Sequence, residues 1–216
     1  MNHSQPQGFL AEPPTGKGPG VLVLHAWWGL NDTMKAVCTR LAKAGFVAFA
    51  PDLYHGAVTD SIAKAEGLAG ALGADHAQAA AEVLDAATFL NERTGRAGHG
   101  LAVIGFSLGA YFALNLGITD PERIRSVVVF YGTGGHLDHG SSRASYLGHF
   151  AEKDQFESPV EVDDLEGSLR RASRPVTFYR YPGTGHWFFE PDRTDAYDQA
   201  AATLAWERTV TFLKES

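Results

Sequence analysis

The stretch from Leu101 to Leu114 reads LAVIGFSLGAYFAL. Four apolar residues, Leu101 to Ile104, lead into Gly105. Phe106, Ser107, Leu108 and Gly109 follow, and an Ala- and Leu-rich segment then runs to Leu116. The order is buried strand, tight turn, helix, with Gly-x-Ser-x-Gly at the turn. Gly105 and Gly109 lack a Cβ, so neighbouring backbone can come close on either side. A chain that reverses within so few residues holds Ser107 in a strained conformation and lifts its hydroxyl clear of the sheet. The helix start behind it offers a free Leu108 N–H and a partial positive charge. A small-residue turn with a capping serine has the same pattern. The strand before and the helix after make Ser107 the candidate nucleophile.

Working outward, the rest of the chain repeats this alternation. Val21–Ala26, Phe46–Ala50, Ser126–Tyr131, Tyr146–Phe150 and Val176–Tyr181 are further short apolar runs bounded by turn residues, which suits strands buried on both faces. Helical spacing is seen over Thr33–Ala44, Asp75–Arg93, Ser107–Leu116 and Ala196–Leu213, and more weakly over Asp164–Arg171. Such β-α alternation predicts an α/β fold, a mostly parallel sheet with helices on both faces. There is no repeat of fixed period and no internal linker. The expectation is a flexible N-terminal tail over residues 1–18 and one domain over 19–216.

A serine hydroxyl needs a base to become a nucleophile. His186 lies in Gly183–Trp187, just after the last apolar run, where flanking glycines let the loop carry its ring over the turn at Ser107. The acid that orients such a base belongs between the two in chain order. Asp154 is the choice, in the segment Ala151–Asp154 that follows the run Tyr146–Phe150; Glu152, Asp163 and Asp164 are its rivals. An oxyanion hole needs two N–H donors. Leu108 N–H is one. The other is expected from the loop His25–Gly29, at Trp27 N–H.

Composition excludes other classes. The 216 residues are 44% hydrophobic and 20% charged, ordinary for a globular chain that buries roughly 70% of its unfolded surface. The formal net charge is −7 with no Lys/Arg run, which argues against nucleic-acid or anionic-membrane partners. No run reaches the ~18 apolar residues of a membrane span, and the start of the chain lacks the form of a secretory signal. A cytoplasmic location is the default expectation. Cys38 is the one cysteine, which excludes an intrachain disulfide and a multi-cysteine metal site. It falls on the apolar side of a helix, where a thiol is inert. His136, Asp138 and His139 are too loosely spaced for a known metal-ligand pattern, so no metal and no cofactor is expected. His25 reads as a loop brace and Asp52 as a turn residue.

Several strings fall in the order of one known family. Val21–Asn31 is followed by a helix, then by Gly45–Tyr54 ending in Pro51-Asp52-Leu53-Tyr54. Phe130–Gly132, Lys153–Phe156 and Gly185-His186 come next. From about Gly20 to the C-terminus the chain resembles the dienelactone hydrolase family. The resemblance implies an eight-stranded α/β-hydrolase sheet, a small ester or lactone substrate, and the acid at Asp154. Three departures stand out. The founding enzymes have cysteine at the position of Ser107, and a glutamate that helps activate it where this chain has Ala26. Four residues past the histidine, where they hold the substrate carboxylate with arginine, this chain has Glu190. A glutamate there would repel an anionic dienelactone. The expectation is therefore a neutral ester or lactone as small-molecule partner.

The loops at the catalytic end carry Trp27, Trp28, Tyr131, Trp187 and Phe188. Trp28, Tyr131, Trp187 and Phe188 are expected to line an apolar substrate pocket, although ordinary core aromatics would look the same. Two other functions fit the same residues: acyl transfer to an acceptor other than water, and a non-catalytic small-molecule-binding protein of the same fold. The sequence leaves the oligomeric state open and is compatible with a monomer.

Overall fold

The apolar runs become the parallel strands of one sheet. The computed structural model describes residues 5–94 and 100–216. Its strands are β1 (Gly8–Ala11), β2 (Gly20–Leu24), β3 (Val47–Pro51), β4 (Leu101–Phe106), β5 (Ile124–Phe130), β6 (Ser145–Ala151) and β7 (Val176–Tyr181). They lie in the order β1-β3-β2-β4-β5-β6-β7, and only the β1–β3 pair is antiparallel. The resemblance implies eight strands; the described residues form seven.

Residues 1–4 of the expected tail lie outside the described residues. Gly8–Ala11, within the same stretch, is an edge strand in register with Ala48–Pro51. Its backbone satisfies the open side of β3, which gives these residues a fixed place.

The described residues form six α-helices: α1 (Asp32–Lys43), α2 (Ile62–Ala74), α3 (His76–Arg93), α4 (Leu108–Thr119), α5 (Pro159–Arg171) and α6 (Gln199–Glu215). Period-2 geometry divides the strand side chains between two cores. Val21, Val23, Ala48, Ile104 and Phe106 pack with α1 and α6. Leu22, Leu24, Phe49, Leu101 and Val103 pack with α3, α4 and α5 on the other face. Cys38 is fully buried, and burial pushes its thiol up to about 12, away from the reactive thiolate. No described helix is long and apolar enough to cross a membrane.

This topology sets the site. The chain runs from β2 out to β3, then returns to β4 on the opposite side of β2. Loops leaving the carboxyl ends of β2 and β4 therefore diverge, and open α/β sheets hold ligands in the crevice at such a switch point. Ser107 follows β4, and His25–Gly29 follow β2.

Candidate active site

Ser107 sits at the bottom of this crevice with φ 49° and ψ −113°, a conformation that L-residues avoid. Such strain costs about 1–3 kcal/mol and persists only where the surroundings enforce it. Ser107 N–H donates to Phe130 O at 2.9 Å, and Ala110 N–H donates to Ser107 O at 2.8 Å, which clamps the turn to β5 and to the first turn of α4. The glycines are required by contact. A Cβ on Gly105 would lie 2.3 Å from Gly109 O, and one on Gly109 would lie 2.3 Å from Leu24 O.

Ser107 Oγ lies 2.9 Å from His186 Nε2. His186 Nδ1 lies 2.9 and 2.8 Å from the two carboxylate oxygens of Asp154. An ionised carboxylate only accepts, so Asp154 keeps the proton on Nδ1 and leaves Nε2 free to accept from the serine. The side chains of His186 and Asp154 are each 3% exposed, so water competes little for this bond. Asp154 Oδ1 is fixed in turn by the N–H groups of Phe156 and Glu157, at 2.9 and 3.1 Å. The loops carrying acid and base are laced together. Lys153 N–H donates to Thr184 O at 2.9 Å, and Gly183 N–H donates to Glu152 Oε2 at 2.8 Å.

Leu108 is the first residue of α4, so its N–H has no acceptor within the helix. Trp27 lies in the turn after β2, and its N–H donates to no backbone acceptor among the described residues. Burial lowers the His25 pKa, and its ring braces this loop by a 2.8 Å bond from Nδ1 to Ala26 O.

With this geometry in view, the comparison with known proteins is direct. The family model described as "Dienelactone hydrolase family" matches residues 7–216. The chain belongs to the dienelactone hydrolase family. It is a hydrolase of the α/β-hydrolase fold. Among its relatives is "Protein usf" of Aquifex pyrophilus, 34% identical over 97% of this chain and 93% of that protein. Another, from Aquifex aeolicus, bears the name "Putative carboxymethylenebutenolidase" and is 30% identical over 96% of this chain and 92% of its own. A solved structure described as a dienelactone hydrolase-like promiscuous phosphotriesterase from metagenomic libraries superposes with a TM-score of 0.82 at 25% identity, covering 93% of this chain and 87% of that one.

The other acidic residues around Ser107, His186 and Asp154 have partners or positions of their own. Of the rivals to Asp154, Glu152 accepts from Gly183, Asp163 pairs with Arg180, and Asp164 is exposed on α5. Asp52 ties its turn by accepting from Tyr54 and Gly56 N–H groups at 3.2 and 2.6 Å. Asp138 accepts from Gly140 N–H in a short 3-10 turn. Among the described residues, no three His, Cys, Asp or Glu side chains gather as a metal-binding group.

A cavity of about 350 Å³ opens beside Ser107. Trp27, Tyr111 and Trp187 line it, together with Phe156, whose ring centroid stands 4.9 Å from that of His186. Three of the four expected pocket aromatics need correction. Trp28 is 1% exposed and lines the neighbouring cavity of about 820 Å³, which shares His186 and Trp187 with the first, and the Arg193 guanidinium lies 4.2 Å above its ring. Tyr131 and Phe188 are fully buried and line neither cavity. Tyr131 turns inward at φ 39° just after β5, and its ring supports His186 from behind at 4.9 Å. Phe188 packs on Tyr131 and Tyr181.

Glu190 needs a correction too. It is fully buried and lines neither cavity. Its Oε1 accepts from Tyr131 Oη at 2.8 Å, while Oε2 has no partner among the described residues. Burial pushes its carboxyl up to about 8, so near neutrality it is largely uncharged. Repulsion of an anionic substrate does not come from this residue. The carboxylates facing the cavity are Glu157 and Glu161. The sequence contained a sign of this. Ser158-Pro159-Val160-Glu161 is a capping box with Pro at the helix start, and it moves the start of α5 from the expected Asp164 to Pro159.

Proposed function

We propose that this protein hydrolyses small carboxylic esters or lactones through an acyl-enzyme on Ser107, with His186 as base and Asp154 as the group that orients it. One observation carries the reading: the unbroken contact from Ser107 Oγ through His186 to Asp154, at the floor of a cavity large enough for a small substrate.

The steps follow from this geometry. Ser107 Oγ attacks the substrate carbonyl carbon while its proton passes to His186 Nε2. Asp154 stabilises the resulting imidazolium and itself stays ionised. Negative charge developing on the carbonyl oxygen is met by the N–H groups of Leu108 and Trp27, where one such donor is worth about 10²–10³ in kcat. Collapse of the tetrahedral intermediate breaks the ester C–O bond, and His186 returns the proton to the departing alkoxide. In a lactone that alkoxide stays attached to the acyl group. Water then attacks the acyl-enzyme, giving its proton to His186 and regenerating Ser107. No cofactor takes part. The use of serine agrees with Ala26, since the histidine alone supplies the base.

Steady-state hydrolysis of p-nitrophenyl butyrate and of a simple lactone tests this. The wild-type protein is expected to turn over at least one, and Ser107→Ala and His186→Ala to lose about 10³-fold or more in kcat. Turnover that persists in Ser107→Ala would refute it.

A further inference from the structure

Glu157 is one of the two carboxylates that line the cavity. Its Oε2 accepts from Thr133 Oγ1 at 2.6 Å, and its backbone N–H holds Asp154. Glu161 stands at the rim, where Ser158 N–H and Oγ–H bind its Oε2 at 2.8 and 2.7 Å and hold its pKa below the usual carboxylate range. No Lys or Arg lines this cavity. The charges of Asp154 and His136 act on Glu157 and Glu161 respectively, and His186 shares the lining. With Glu157 and Glu161 both ionised, the lining carries negative charge.

Much of the remaining wall is aromatic. Trp27, Phe156 and Trp187 surround the opening, with Phe156 standing 5.6 Å from Trp27 and 5.1 Å from Trp187 between ring centroids. Phe156 is 41% exposed, an unusual position for so large an apolar ring. Aromatic faces and a carboxylate together make the environment in which alkylammonium groups bind: the rings supply cation–π attraction and the carboxylate supplies charge.

We infer that Glu157 determines specificity, directing this pocket to esters that carry an alkylammonium group and against esters that carry a carboxylate. The inference rests on the hydrolase reading above and names its substrate class. Burial, with Asp154 and Glu161 nearby, pushes the Glu157 carboxyl up to about 7. Its charge is thus present above that pH and lost below it, so the preference for a cation should grow as pH rises through 7.

The test uses three p-nitrophenyl esters of matched acyl length, ending in an alkyl group, a trimethylammonium group or a carboxylate. The readout is the ratio of kcat/KM values within each protein, which cancels changes in the common chemistry at Ser107 and His186. In the wild type at pH 8 the ammonium ester is expected to exceed the neutral one, and the neutral one to exceed the carboxylate. Glu157→Gln should reduce the ammonium-to-carboxylate ratio ~10-fold, the scale of one partly buried charged contact. It should also flatten the dependence of that ratio on pH between 6 and 8. The wild-type pH series stands without any variant. Neutral-ester turnover with equal rates for all three esters, at every pH, would overturn the inference and leave the hydrolase reading intact. No turnover of any ester, with Ser107 unreactive, would overturn both.

Discussion

Gly109→Ala places a methyl group in a gap that has no room for it. The new Cβ would lie 2.3 Å from Leu24 O and 2.7 Å from His25 O. Carbon–oxygen contacts relax at about 3.3 Å, so the start of α4 and the end of β2 must separate by about 1 Å. Both are backbone and cannot rotate away as a side chain would. Leu108, one residue from the insertion, and Trp27, two residues beyond His25, carry the two N–H groups assigned to the oxyanion. A separation of this size misaims at least one of them. Misplacement by about 1 Å costs about a hundredfold in rate, and overpacking costs about 1–3 kcal/mol in stability. The assays are kcat/KM on p-nitrophenyl butyrate and urea denaturation of the same preparation. A folded variant with kcat/KM within about twofold of wild type would refute the claim that this close approach shapes the oxyanion site.

Three further outcomes are expected. Asp154→Asn keeps the bonds from the N–H groups of Phe156 and Glu157 but can no longer stabilise the imidazolium; kcat should fall by up to about 10⁴ with KM changing far less, measured by steady-state kinetics. Ser107→Gly and Ser107→Ala both lose the hydroxyl, yet glycine accepts φ 49° without strain, so the glycine variant should be more stable by about 1–3 kcal/mol in urea titration. Burial raises the Glu190 pKa to about 8 in the folded protein, well above the ordinary carboxylate range, so the native state keeps its proton after the unfolded chain has released one. Its contribution to stability is therefore full below pH 4.5 and is lost as pH rises toward 8. Glu190→Gln retains an acceptor for Tyr131 without titrating, and its stability relative to wild type should rise steadily from pH 5 to 8 in thermal melts.

The parts of the structure that the sequence made legible are those governed by local pattern. β2–β6 are largely apolar runs, and buried parallel strands need little else to be recognised; β7, expected to be buried on both faces, is instead an edge strand with Thr177 and Arg180 exposed. The turn at Ser107 was readable because steric demand fixes its glycines. β1 and α2 were not. Gly8–Ala11 is four half-buried residues with no alternation to mark them. Ile62–Ala74 contains Gly67, Gly70 and Gly73 and buries only Ala65, so it shows almost no apolar stripe. Its helix is held by packing against α3 and not by a pattern of its own. In the site, chain order was enough to nominate Ser107, Asp154 and His186. The walls were hidden because direction depends on backbone angles absent from composition. Phe188 lies two residues after His186 and the Tyr131 ring packs against that of His186, yet the positive φ at Tyr131 sends its ring inward to Glu190. Phe156 sits two residues after Asp154, and the turn that Asp154 caps swings it over His186. The charge at Glu190, unmistakable in sequence, is suppressed by burial, while Glu157 and Glu161 line the cavity.

The central claim is that Ser107 is an activated nucleophile. Labelling with a fluorophosphonate probe followed by peptide mass mapping, on wild type and Ser107→Ala, tests it most directly. One covalent adduct is expected on the peptide bearing Ser107, absent from the variant. A folded wild-type protein that takes no label at Ser107, or labels equally in Ser107→Ala, would contradict it.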